Sequence, residues 1–178
     1  MKAYAKTALV LCLICACAAL VLSLANALTA PRIKDYEDGV LKSALEAVSG
    51  GKAVGDYVPV EDNPVVSGYY PILPSGYILS LRANGYGGEI TLLAAYDAKG
   101  VLTAAKLVSD SETPGLGKRA EESWYMDKFI GKGTDMPVRK NMLSASDAEA
   151  VSGASVTFTG VSRALLAGSM FVSMKEAN

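Results

Sequence analysis

Between Lys6 and Arg32 the chain carries no charged side chain, and most of that run is Leu, Val, Ala and Cys. About 20 apolar residues at a helical rise of about 1.5 Å cross the ~30 Å hydrocarbon layer, and Leu9 to Leu28 meet that length. A cleaved secretory signal is the competing reading. Lys2 and Lys6 give a basic start, and Ala25-Asn26-Ala27 resembles a cleavage site. The run outlasts the ~7–15 apolar residues of a signal core, which favours an uncleaved anchor. A lipoprotein processed at Cys17 fits less well, because the apolar run continues past it to Leu28. Lys2 and Lys6 face Arg32 and Lys34 across the span, and the short leading segment favours a cytoplasmic N-terminus. The expectation is a lipid-embedded anchor over 1–31 and a domain over 32–178, facing the periplasm or cell exterior.

The whole chain has 178 residues, room for one ordinary core plus an appendage. Setting Lys2 and Lys6 aside leaves 15 basic against 18 acidic residues, a net charge of −3 for the exported part. Nucleic-acid binding, which needs a basic surface to displace counterions, is not expected. The chain has no histidine. Ser-His-Asp and Cys-His catalysis, His-ligated zinc and His-ligated haem are therefore excluded. Cys12, Cys15 and Cys17 all lie in the apolar run. The Cys12-x-x-Cys15 pair has no second ligand pair and reads as helix packing, so no metal site is expected.

The exported part reads as α+β with an antiparallel sheet. Val40, Leu41, Ala44, Leu45 and Val48 fall at helical spacing before Gly50-Gly51. Lys52 to Pro74 suggests short strands and turns. Tyr77–Arg82, Ile90–Tyr96 and Val101–Val108 read as strands, broken by Gly85–Gly88 and by Asp97-Ala98-Lys99-Gly100. The pattern predicts helices over Ala120–Phe129 and Val161–Met174, the latter starting near Gly160.

Two segments could carry chemistry. Ser152-Gly153-Ala154-Ser155-Val156-Thr157-Phe158-Thr159-Gly160 crowds small and hydroxylated residues before the last helix. Free N–H groups and the positive end of the helix dipole make such a junction an anion site. Equally, Thr157 or Thr159 is an ordinary N-cap. The second segment, Ser111-Glu112-Thr113-Pro114-Gly115-Leu116-Gly117-Lys118, is a loop whose glycines let backbone approach a flat ligand.

Taken together with Gly85-Tyr86-Gly87-Gly88-Glu89-Ile90, these segments resemble the FMN-binding domain of the G subunit of the Rnf electron-transport complex. That family is related to the C subunit of the sodium-pumping NADH:quinone reductase, whose polypeptide is usually longer. The single anchor also fits, so the resemblance covers essentially the whole chain. It implies a membrane-bound, covalently flavinylated electron carrier within an ion-translocating ferredoxin:NAD oxidoreductase. The subunit would have no complete active site and no catalytic acid or nucleophile of its own. Electrons would arrive from a membrane-embedded iron–sulfur centre and pass to a second subunit's FMN.

In that family a flavin transferase joins FMN through its phosphate to a Ser or Thr in an S/T-G-A-S/T motif, here Ser152-Gly153-Ala154-Ser155. The acceptor falls on Ser155, where Thr is commoner, and Thr157 is the alternative acceptor. The acidic residue three before Ser152 is Glu149 where Asp is usual, with Asp147 nearby. Glu112, Thr113, Pro114, Gly115, Leu116 and Gly117 would lie along the flavin. Lys118 and Arg119 are either charges that stabilise a reduced flavin or solvated surface charges. Two alternatives remain: a C-type quinone reductase subunit, and a cofactor-free tethered binding or assembly module.

Overall fold

The computed structural model describes residues 2–177, which divide into two compact units with the boundary between Leu41 and Lys42. The first unit holds most of helix α1 (Lys2–Ser49). Its most apolar window has a mean hydropathy of 2.9 and no buried side chain, and the helix is long and apolar enough to cross a membrane. Pro31 lies inside it. The missing N–H removes one backbone hydrogen bond without ending the helix. Ala44 and Val48 near its end are buried, and Gly50, at φ +60°, follows its last residue.

The second unit is built on a five-stranded sheet in chain order, antiparallel throughout: β1 (Val58–Pro59), β2 (Val66–Pro71), β3 (Tyr77–Asn84), β4 (Glu89–Tyr96) and β5 (Leu102–Ser109). The expected strands and both turns are present, in an α+β fold. Alternation along β3 and β4 places Leu79 opposite Ala94, Leu81 opposite Leu92 and Ala83 opposite Ile90. These residues share one buried cluster with Phe158, Val161, Leu165 and Val172 of helix α4 (Ser155–Glu176). Although α4 is also long and apolar enough to span a bilayer, half of its most apolar window is buried, as suits a core helix. At the base of the β4–β5 turn, Tyr96 is 1% exposed and donates its hydroxyl to the carbonyl of Leu165 at 2.8 Å. Burial holds that phenol well above its ordinary range.

Three expectations are corrected. Helix α4 begins at Ser155, not near Gly160. Gly160 sits inside the helix because a Cβ there would lie 2.1 Å from the Asn84 carbonyl oxygen, so only glycine lets α4 approach β3. Neither Thr157 nor Thr159 is the N-cap; Ala154 is, and it provides no side-chain cap. The segment Ala120–Phe129 is not one helix but a 3-10 turn (Gly117–Glu121) followed by the single turn α2 (Ser123–Met126), with Glu122 extended between them. In a continuous helix residues 120 and 125 would point about 140° apart. The break lets Ala120, Tyr125, Met126 and Phe129 all reach the core.

A short helix, α3 (Ala145–Ala150), was not expected. Its signal was present: Ser144 accepts a hydrogen bond from the Asp147 N–H, a side-chain N-cap three residues ahead.

Replacing Gly160 with Ala should lower the unfolding free energy by about 1–3 kcal/mol, the cost of overpacking against an atom that cannot swing aside. Urea unfolding followed by Trp124 fluorescence measures this, and an unchanged midpoint would contradict the α4–β3 packing.

Candidate functional site: a cavity at the start of α4

Ala154 caps α4 without a side-chain oxygen, so the N–H groups of its first turn have no capping partner from that residue. Gly153, at φ +89°, supplies the left-handed turn that leads into the helix. Ser155 is the first helical residue and is exposed. Thr157, two residues on, is 1% exposed. Its hydroxyl donates to Glu112 Oε2 at 2.5 Å.

Glu112 is the centre of the arrangement. Its side chain is 4% exposed, and its Oε1 accepts from the Gly87 N–H at 2.8 Å. It is wedged between two glycines: a Cβ at Gly85 would lie 2.1 Å from Oε1, and one at Gly117 1.9 Å from Oε2. Close to it, Tyr125 has a buried hydroxyl with no hydrogen-bond partner among the described residues. Burial, and then the charge of Glu112, hold that phenol well above its ordinary value. The ring of Tyr125 packs edge-on to Phe158, and Phe129 stacks on Phe158 at 5.7 Å.

Beside Glu112 and Thr157 opens a cavity of about 400 Å³, within the size range of small-molecule sites. Tyr86, Glu112, Thr113, Leu116, Gly117, Gly153, Ala154, Ser155, Val156 and Thr157 line it. Three of these, Tyr86, Leu116 and Val156, are large apolar side chains that are 78%, 47% and 52% exposed. Exposed apolar groups gathered around one opening mark a binding surface.

The structure therefore brings together eight of the sequence-derived site residues: Ser155, Thr157, Gly153, Ala154, Glu112, Thr113, Leu116 and Gly117. Ser152, Pro114 and Gly115 do not line the cavity. The Ser152 hydroxyl faces Lys140 Nζ at 3.5 Å, and Gly115 lies in the turn that closes the loop at φ +77°. Lys118 and Arg119 also lie off the cavity: Lys118 pairs with Glu121 at 3.1 Å, while Arg119 donates to the Ala150 carbonyl and stacks over Trp124. Sequence reasoning passed over Val156 as a lining residue and Gly87 as the donor to Glu112. The apolar Val156 between two hydroxylated residues was a usable signal; the Gly87 contact had none.

The donor set fits a phosphorylated, flat aromatic ligand. An uncapped helix start and a hydroxyl suit phosphate, and an apolar collar suits a flavin ring. In class, then, the second unit is an α+β domain with a cavity where a loop, a hairpin turn and a helix start converge.

The chain matches the family described as the FMN-binding domain over residues 85–168. It is 27% identical over 181 aligned positions to the G subunit of the Na(+)-translocating ferredoxin:NAD(+) oxidoreductase complex of Acetobacterium woodii, covering 90% of this chain and 87% of that one. A 33% identical match over 88 residues links it to the G subunit of the proton-translocating ferredoxin:NAD(+) oxidoreductase complex of Clostridium ljungdahlii. The aligned part is 49% of this chain and 48% of that relative, about half of each. The G subunit of the ion-translocating oxidoreductase complex of Stutzerimonas stutzeri is 34% identical over 124 residues, 64% of this chain and 54% of that relative.

Changing Glu112 to Ala strands the Thr157 hydroxyl and the Gly87 N–H. The expected loss is about 1–3 kcal/mol of stability, with Glu112→Gln falling between it and the parent in urea unfolding. Equal stability of all three proteins would contradict the clamp.

Proposed function

We propose that this chain is a membrane-anchored electron carrier, with FMN joined through its phosphate to the Ser155 hydroxyl. In this reading it is one subunit of an ion-translocating ferredoxin:NAD oxidoreductase complex, with α1 as the anchor. The observation that carries the acceptor assignment is the contrast between two hydroxyls on one cavity. Ser155 is exposed at the helix start, whereas Thr157 is buried and its proton is engaged by Glu112. An enzyme that installs a group needs access, and Ser155 offers it.

FMN, when bound, supplies one- and two-electron transfer. The remaining work falls to the chain. The first-turn N–H groups of α4 favour the single negative charge of a phosphodiester. Tyr86, Leu116 and Val156 shield the ring from water, and Glu112 holds the two walls of the cavity in register. The ester forms between Ser155 Oγ and phosphorus with the overall loss of one water per FMN, in an exchange assigned to a flavin transferase. A covalent tether suits a domain outside the cytoplasm, where a dissociated flavin could not be replaced. We assign the membrane-embedded part to 1–31, with a cytoplasmic N-terminus, and the flavin domain to the periplasm or cell exterior. The names of the relatives favour a ferredoxin:NAD complex over a quinone reductase, and the cavity favours a flavin carrier over a cofactor-free module.

The test is production of the full-length chain with and without a flavin transferase, followed by in-gel flavin fluorescence after denaturation. The parent should fluoresce only with the transferase. Ser155→Ala should be dark, while Thr157→Val, which removes the hydroxyl and keeps the volume, should remain fluorescent. A fluorescent Ser155→Ala protein would overturn the assignment.

A further inference from the structure

Ser155 and Val156 line a second cavity as well, of about 560 Å³, on the β3 side of α4. Its other walls include Arg82 and Asn84 of β3 and Thr159 and Arg163 of α4. Both arginines are exposed. Among the described residues Arg82 reaches only the Asn63 carbonyl, at a long 3.4 Å. Among the described residues Arg163 has no hydrogen bond or ion pair, and the ion pairs present there use Lys118, Lys128 and Lys132 instead. The Thr159 hydroxyl is engaged by the Ser155 carbonyl at 2.9 Å. The polar groups left along this cavity are thus the Ser155 hydroxyl, the Asn84 carboxamide and two guanidinium groups without a carboxylate.

Helical side chains lean toward the helix N-terminus, so Arg163, about two turns after Ser155, leans back toward it. Guanidinium matches phosphate oxygens with paired N–H donors, and an arginine without an acidic partner is free to use them. The cavity that holds Thr113, Leu116 and Tyr86 has no basic side chain among its lining residues. The two cavities thus differ in charge on either side of one hydroxyl: one is lined by the Glu112 carboxylate and the other by two guanidinium groups.

We propose that Arg82 and Arg163 are the counter-ions of the phosphate esterified to Ser155, with the phosphate turned toward β3 and the ring held in the opposite cavity. This inference rests on the Ser155 reading above. It assigns the second cavity to the phosphate of the flavin ester, and a site for free inorganic phosphate is the alternative the test separates from it.

The experiment uses the flavinylated full-length chain in a phosphate-free detergent. Its intact mass is read first, then its ³¹P NMR spectrum before and after urea. In the parent the folded diester signal should be displaced from its denatured position. Arg82→Gln and Arg163→Gln should each move it toward that position, the double variant furthest, and Arg163→Lys should restore part of the displacement. Denatured signals should coincide in all variants, and circular dichroism melts should match the parent's, as expected for exposed substitutions that leave the fold intact. Folded signals that superimpose on the parent's would overturn the proposal while leaving the attachment reading standing. So would a folded diester signal that inorganic phosphate shifts by competition in the Gln variants as strongly as in the parent. A parent chain without the flavin mass increment would overturn both.

Discussion

One buried carboxyl group holds the site together. Glu112 comes from the loop after β5, receives the Gly87 N–H from the β3–β4 turn and receives the Thr157 hydroxyl from the first turn of α4. Burying such a group is costly unless donors satisfy it, and both of its oxygens are satisfied. The two glycines flanking it leave no room for any larger residue. Three segments far apart in sequence are thereby fixed to within a few ångströms, and the cavity is the space left between them.

The rest follows from that constraint. Because Thr157 is turned inward to Glu112, the residue two before it is turned outward, and Ser155 presents its hydroxyl at an uncapped helix start. Because Gly160 lets α4 lie close against Asn84, the same turn is pressed toward β3, and Ser155 opens onto Arg82 and Arg163 as well as onto the apolar collar. Electron transfer asks for a ring held in a defined place with its charge offset, not for an acid or a nucleophile. A chain without histidine can meet that demand with backbone N–H groups, one hydroxyl and guanidinium.

Much of this was legible in the sequence, and the reasons are physical. The strands could be read because period-two alternation and turn residues act locally: Asp97 accepts from the N–H groups of Lys99 and Val101 within its own turn. The apolar helix could be read because length and hydropathy are local too. The start of α4 could not. Gly160 looks like a boundary in isolation, and only its contact with a strand some seventy residues earlier explains a glycine inside a helix. The same holds for 120–129, where helical propensity yields to the need to bury Tyr125 and Phe129 together. At the site, residue types picked out segments that the fold brings to one cavity, but not which way each side chain faces. Which of Ser155 and Thr157 faces outward depends on Glu112, and that pairing spans 45 residues.

The central claim is that one hydroxyl at the start of α4 carries the cofactor. Trypsin releases that region as the peptide 141–163, and tandem mass spectrometry of it from a chain matured with a flavin transferase tests the claim most directly. The account predicts an increment of one FMN less one water, with fragment ions that assign it to Ser155. An unmodified peptide, or an increment that fragments to Ser152, Thr157 or Thr159, would contradict it.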